Sequence, residues 1–127
     1  MCSTAQPKPI KGTAKREKAR AKRQEAAHAK SVRELCVERD GSCLIASRLP
    51  RSLAVLLGPC AGPSEWAHVG AHRHCHTRGM EPEARHTTSG SGQLCRGHHV
   101  AYDAHAFDFS LGAEGMNGPL AVIRRAA

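Results

Sequence analysis

Large aromatic side chains are nearly missing from this chain: one Trp, one Tyr and two Phe make up 3% of its 127 residues. A domain this short and this poor in bulky apolar groups buries little surface, which rules out a core that holds itself together unaided and calls for a staple. Long apolar runs are missing as well. The longest, Leu53 to Leu57, falls far below the roughly 20 residues of a membrane span. No apolar secretory segment follows Met1, and residues 7–33 are filled with Lys and Arg instead, so the chain is expected to stay in the reducing cytoplasm. Acidic residues are in deficit, with 11 Asp and Glu against 19 Lys and Arg. The length allows one domain and a tail.

What is present supplies the staple. Six cysteines in a reducing compartment point to zinc ligation rather than to disulfides. The positive charge is not spread evenly. Lys8, Lys11, Lys15, Arg16, Lys18, Arg20, Lys22, Arg23, Lys30 and Arg33 face only Glu17 and Glu25 in the same stretch, enough to account for the whole formal charge of +8. Such a cluster is the footprint of a polyanion partner, nucleic acid above all. The alternatives are a solvated tail that aids solubility and a helix aimed at an acidic protein surface.

The organisation follows from composition. Residues 1–12, with Pro7, Pro9 and Gly12, are expected to be disordered. From Thr13 to about Arg39 the good helix formers dominate. Most of that helix lacks an apolar stripe and should stand in solvent or order on a phosphate backbone, with no heptad seam for a coiled coil. Val32, Leu35 and Cys36 near its end have the spacing of a docked face. Residues 44–59, interrupted by Pro50, fit either a short helix or a hairpin. Ser64 to Val69 predicts a strand with Trp66 and His68 on one face and Glu65 and Ala67 on the other. Residues 70–92 read as a long polar loop, of a length that usually has a role. A turn and helix are expected from Leu94 to His105, beginning at Cys95. Ala106–Leu111 and Leu120–Ile123 predict two closing strands around the Asn117-Gly118 turn.

Chemistry concentrates around Cys95-x2-His98. A two-residue spacer lets a knuckle present two ligands to one ion, and Cys43 and Cys60 can complete a closed tetrahedral zinc site. The bland alternative makes Cys43 and Cys60 buried small apolar residues. His99 points about 100° away from His98 on a helix and is free to serve a second cation. Asp103 lies four residues on, on the same helical face, and His86 is a third candidate ligand. Such a set can hold a divalent metal with open positions for water and phosphate. His68, on a strand, can deprotonate a water that attacks a phosphodiester while the metal polarises the scissile phosphate. His72, His74, Cys75 and His76 lack knuckle spacing. With Arg73 and Arg78 they are read as nucleic-acid-facing loop residues rather than a dedicated metal site. Cys2 and Cys36 look incidental.

Taken in order, Arg39-Asp40-Gly41-x-Cys43, Glu65-Trp66-Ala67-His68, Arg85-His86-Thr87-Thr88 and Leu94-Cys95-Arg96-Gly97-His98-His99 resemble the HNH endonuclease superfamily of ββα-metal nucleases. The likeness is to its small zinc-stapled members of phages and prophages, and it covers residues 33–111. It implies that His68 is the general base on the first strand and that His86 fills the middle Asn position, an HHH variant. It also implies that His99 is the last His and a catalytic-metal ligand, and that His98 takes the place of a knuckle cysteine. Ala67 departs from the Asp that commonly precedes the first His, as in some prophage recombination nucleases, and leaves the metal one carboxylate short. Asp103 or His86 would replace it.

The expectation is thus an α+β, zinc-stapled ββα-metal (HNH- or treble-clef-like) domain over 33–127, with a basic helical arm over 1–32. It would be a DNA endonuclease with a structural Zn2+ at Cys43, Cys60, Cys95 and His98. A catalytic Mg2+, Mn2+ or Ni2+ would sit at His99, Asp103 and His86. Lys15, Arg16, Lys18, Arg20, Lys22, Arg23, Arg73 and Arg78 would grip the DNA backbone. The protein would be a monomer with no membrane and no small-molecule substrate. The alternative is a non-catalytic zinc-stabilised module that binds nucleic acid.

Overall fold

The structure, a computed structural model, describes residues 12–74 and 79–124. The first element is a single long helix, α1 (Thr13–Asp40). Ala, Lys, Arg, Glu and Gln carry it, and Gly41 ends it at a positive φ of 69° that favours glycine. Its buried residues are Val32, Cys36 and Asp40, spaced by four, so they share one face. Leu35, expected on that face, is 53% exposed, because a step of one residue from Cys36 turns it about 100° away. The helix crosses position 32/33 without a break.

Two short helices follow, α2 (Leu44–Arg48) and α3 (Arg51–Leu57). Pro50 separates them and caps the start of α3, which decides the region in favour of helix over hairpin. The strand β1 (Ser64–His68) then pairs antiparallel with β2 (Ser91–Cys95), from Ser64 opposite Cys95 to His68 opposite Ser91. The stretch between them is not a plain loop. It carries a 3-10 turn at Gly70–His72 and a one-turn helix, α4 (Pro82–Arg85). The helix α5 (Arg96–Asp103) starts directly from β2 and contacts both strands. A second antiparallel pair, β3 (Phe107–Leu111) with β4 (Leu120–Arg124), closes the chain.

The core sits between α2, the first strand pair, α5 and β3. It holds Leu44, Ile45, Leu94, Tyr102, Phe107, Phe109 and Met116 with Cys43 and Cys95 at its edge. Three of the four aromatic residues cluster there, with ring centroids 5.4–5.7 Å apart. Gly92 is where the strand approaches its neighbours most closely, since a Cβ there would stand 2.7 Å from Leu44 Cδ2.

The end of α1 is locked to this core by a buried carboxylate. Asp40 has no exposed surface. It accepts from the Arg39 guanidinium at 2.7 and 2.8 Å, from Arg48 at 3.1 Å and from the backbone N–H of Gln93 at 3.0 Å. Arg39 reaches on to the carbonyls of Thr88 (2.6 Å) and Ser91 (2.8 Å). One ion-pair network thus joins α1, α2 and β2. Cys36 packs beside it, 3.4 Å from Ser91 Oγ; Cys2 lies outside the described residues.

Candidate metal centre

Cys43, Cys60, Cys95 and His98 converge, with one ligand atom of each within 4.8 Å of all the others. Local backbone explains how. Cys43 stands immediately before α2 in extended conformation, turning its thiol inward. Cys60 follows α3 after Gly58, whose φ of 86° and ψ of 169° redirect the chain. Cys95 and His98 form the knuckle at the start of α5. The sulfur of Cys95 accepts from His98 N–H at 3.5 Å, while Arg96 N–H and Gly97 N–H bond the carbonyls of Pro63 and Ala61, each at 2.8 Å. These bonds tie the knuckle to the segment that carries Cys60.

The donor set fits a tetrahedral ion. With zinc–sulfur and zinc–nitrogen bonds of about 2.3 and 2.0 Å, sulfur and nitrogen ligands stand about 3.5 Å apart. His98 Nδ1 lies 3.1 Å from Cys95 Sγ, 3.6 Å from Cys43 Sγ and 3.8 Å from Cys60 Sγ. The other ring nitrogen, Nε2, stands 3.0 Å from the Gly58 carbonyl and 3.2 Å from that of Leu57. Donating its proton there leaves the Nδ1 lone pair facing the sulfurs, the orienting contact typical of a metal-bound histidine. The thiols are unequal. Burial, then the neighbouring Cys43 and Cys95, push Cys60 up to about 12. At Cys95 burial works upward too, but the N–H groups of His98 and Ala61 and the neighbouring thiols bring the net shift below the ordinary thiol value. Three crowded sulfurs that resist joint ionisation are what a cation relieves.

His28, His68 and His86 gather on one face of the β1–β2 pair and His99 lies on the other, as the pleat of β1 requires. Trp66 and His68 face α1. Nε2 of His68 lies 3.0 Å from Nδ1 of His86, and Nε2 of His86 lies 3.3 Å from Glu25 Oε1 on α1. Arg85 bonds the same Glu25 oxygen at 3.0 Å and holds that carboxyl below its usual range. His28 Nε2 reaches the His86 carbonyl at 2.8 Å, and the Trp66 ring packs 4.6 Å from His68 and 5.3 Å from His86. On the other face, His99 Nδ1 lies 2.9 Å from Glu65 Oε1 and its Nε2 lies 3.5 Å from Asp103 Oδ2. His99, then Arg96, lower the Glu65 carboxyl.

The structure therefore joins His99 with Asp103, and His68 with His86, but assembles them as separate groups. Among the described residues, the cluster around His98 is the one set of three or more such groups whose ligand atoms lie mutually within 4.8 Å. Glu25 and Glu65 carry these arrangements, and neither is a candidate site residue in the sequence. For Glu65, alternation places it with Ala67 on the face of the strand opposite Trp66 and His68. Lys15, Arg16, Lys18, Arg20, Lys22 and Arg23 are all exposed on α1.

Arg73 is different. Read as a residue facing nucleic acid, it is 9% exposed. Its guanidinium carbon lies 3.7 Å from the Tyr102 ring centroid, and it donates to the Tyr102 carbonyl at 2.7 Å. It is a core strut. His72 sits in the 3-10 turn with its ring against Gly90, and His74 adopts a positive φ of 57°, so the two do not form an extended alternating row. Cys75, His76 and Arg78 lie outside the described residues.

Comparison with models of known protein families, with curated proteins and with solved structures finds no match. The chain is a small α+β domain with two separate two-stranded sheets, bearing a three-cysteine, one-histidine cluster able to chelate a metal ion. No described helix is long and apolar enough to cross a membrane.

Proposed function

We propose that this protein is a zinc-stapled module that binds nucleic acid through its basic helix. The observation that carries the reading is the union of two features in one unbroken helix. Eight cations, from Lys15 to Arg33, stand exposed along α1, and the same helix ends at Asp40, buried beside the stapled core. A polyanion gripped by α1 would be held against a fixed body. Zinc at Cys43, Cys60, Cys95 and His98 would supply folding energy, because a closed site of four protein ligands leaves no open position for substrate. The test is binding of labelled oligonucleotides by protein carrying one zinc per chain. Affinity that falls steeply with salt supports the reading. No binding at low salt by correctly loaded protein overturns it.

A second reading, a metal-dependent endonuclease of the HNH type with a ββα-metal domain, is favoured by the His68–His86–Glu25 chain of contacts. A carboxylate that orients one imidazole, which in turn orients another, suits a general base. His68 would take the proton of the attacking water, and His86 would hold the His68 ring in place. A divalent cation at His99 and Asp103, when bound, would supply charge stabilisation at phosphate. Placement of His68 and His99 on opposite faces, together with Ala67 in the position of the usual carboxylate, makes this the second choice. Plasmid nicking with Mg2+, Mn2+ or Ni2+ that is lost in His68→Ala would reverse that order; inert protein in each metal would remove the reading.

A further inference from the structure

We infer that α1 reads the phosphate backbone of a duplex rather than a single strand, through one face made of Lys15, Arg16, Arg20, Arg23, Lys30 and Arg33. The inference rests on the nucleic-acid reading above and names its partner and the residues that meet it.

Helical geometry sorts the cations. At about 100° per residue, these six fall within an arc of about 140°. The residues that dock α1 to the domain (Glu25, His28, Val32, Cys36 and Asp40) occupy an arc on the other side. Lys18 and Lys22 belong with the docked side. They line a groove of about 890 Å³ between α1 and the start of α4, where Glu81 and Glu83 form the facing wall. Two of the cations read from sequence as backbone contacts are thus set among carboxylates, while Lys30 and Arg33 join the outward stripe. The stripe has a defined end. Glu34 and Glu38, both exposed, continue the same face beyond Arg33 with the opposite sign. From Lys15 to Arg33 the stripe spans about 27 Å at 1.5 Å per residue.

The choice of duplex follows from the aromatic residues. Binding a single strand draws on exposed rings on which bases stack. This chain has only four aromatic residues. Tyr102, Phe107 and Phe109 are buried, and the Trp66 ring is packed against His68 and His86. None lies on α1. A straight cationic stripe suits the regular phosphate rows of a duplex, at one charge per about 1.7 Å of axis with both strands counted. It carries no aromatic ring, so stacking on unpaired bases would fall to its arginines alone.

The experiment titrates the full chain, zinc-loaded, with a DNA duplex, an RNA duplex and the corresponding single strands of equal length. Two variants go with it: Arg16→Ala/Arg20→Ala/Arg23→Ala/Lys30→Ala, and Lys18→Ala/Lys22→Ala. Circular dichroism and zinc content check that each keeps its helix and its metal. For six phosphate contacts the affinity for duplex should fall about 10³-fold between 50 and 200 mM salt, with a log–log slope of about −5. The four-residue variant should lower that slope by three to four and the lysine pair by less than one. Duplex should win over single strand, and whichever duplex binds more tightly identifies the backbone geometry preferred. Equal losses in the two variants, or single strand bound as tightly as duplex, overturn the inference while leaving nucleic-acid binding intact. Failure of the wild type to bind any of the four overturns both.

Discussion

Nε2 of His98 lies 3.0 Å from the carbonyl oxygen of Gly58, so the backbone after α3 decides which ring nitrogen faces the three sulfurs. Gly58 holds that carbonyl in place with a φ of 86° and ψ of 169°, a conformation essentially confined to glycine. A Cβ there would meet nothing within 4 Å, so Gly58→Ala acts through backbone conformation alone. It keeps all four metal donors and should still weaken zinc affinity about 10-fold, the lower end for loss of an orienting contact. Competition against a chromophoric chelator measures this. Unchanged affinity would show that the carbonyl does not orient the ring.

Zinc binding should release protons. The Cys60 thiol, at about 12 in the metal-free cluster, is protonated at pH 7 and must ionise to ligate. Calorimetric titration in buffers of different ionisation enthalpy should therefore return different apparent heats, with at least one proton released per ion. Heats independent of buffer would remove Cys60 from the ligand set. Acid should work in the opposite direction, expelling the ion as the thiolates take up protons, and with so few aromatic residues in the core the domain should lose fixed structure as it does.

Asp40 should be the costliest polar side chain to lose. It lies fully buried against Arg39, Arg48 and the Gln93 N–H. Asp40→Ala strands two guanidiniums beside the core and should cost about 3–5 kcal/mol, read as a shift in urea denaturation of zinc-loaded protein. A loss below about 1 kcal/mol would mean that the network is solvated and contributes little.

Glu25 ties the middle of α1 to Arg85 and His86. Arg85 holds its carboxyl below the ordinary value of 4.5. Its contribution is therefore complete above that value and is lost only as pH falls through the lowered one. Between pH 5.5 and 8 tryptic cleavage within residues 15–30 should not change on this group's account. Glu25→Gln should speed that cleavage across the whole range. Equal rates for variant and wild type would mean that the arm is held by other contacts.

Legibility in the sequence tracked how local each determinant is. The long helix could be read from its composition, β3 from its alternation, and the knuckle half of the metal cluster from the Cys95-x2-His98 spacing, because all three are short-range signals. β2 could not. Ser91-Gly92-Gln93-Leu94-Cys95 has no alternating pattern, since every residue in it is buried; its pairing with β1 and the carboxylate of Asp40 make it a strand. Arg73 looked like a surface cation, and only the distant Tyr102 ring reveals it as a strut. Leu35, expected on the docked face of α1, is exposed; Val32 and Cys36 are buried as expected, and the Asp40 ion-pair network completes that face.

The unbroken run of α1 from Thr13 to Asp40 has a mechanical consequence. Solvated at one end and clamped at the other, it behaves as a boom whose bearing is fixed by residue count. One extra alanine inserted between Gln24 and Glu25 would leave the docking contacts of Glu25, His28, Cys36 and Asp40 chemically intact. It would nonetheless rotate the edge formed by Lys15, Arg16, Arg20 and Arg23 about 100° around the axis relative to the stapled body. Anything docked on that edge would then meet the body from a different quarter.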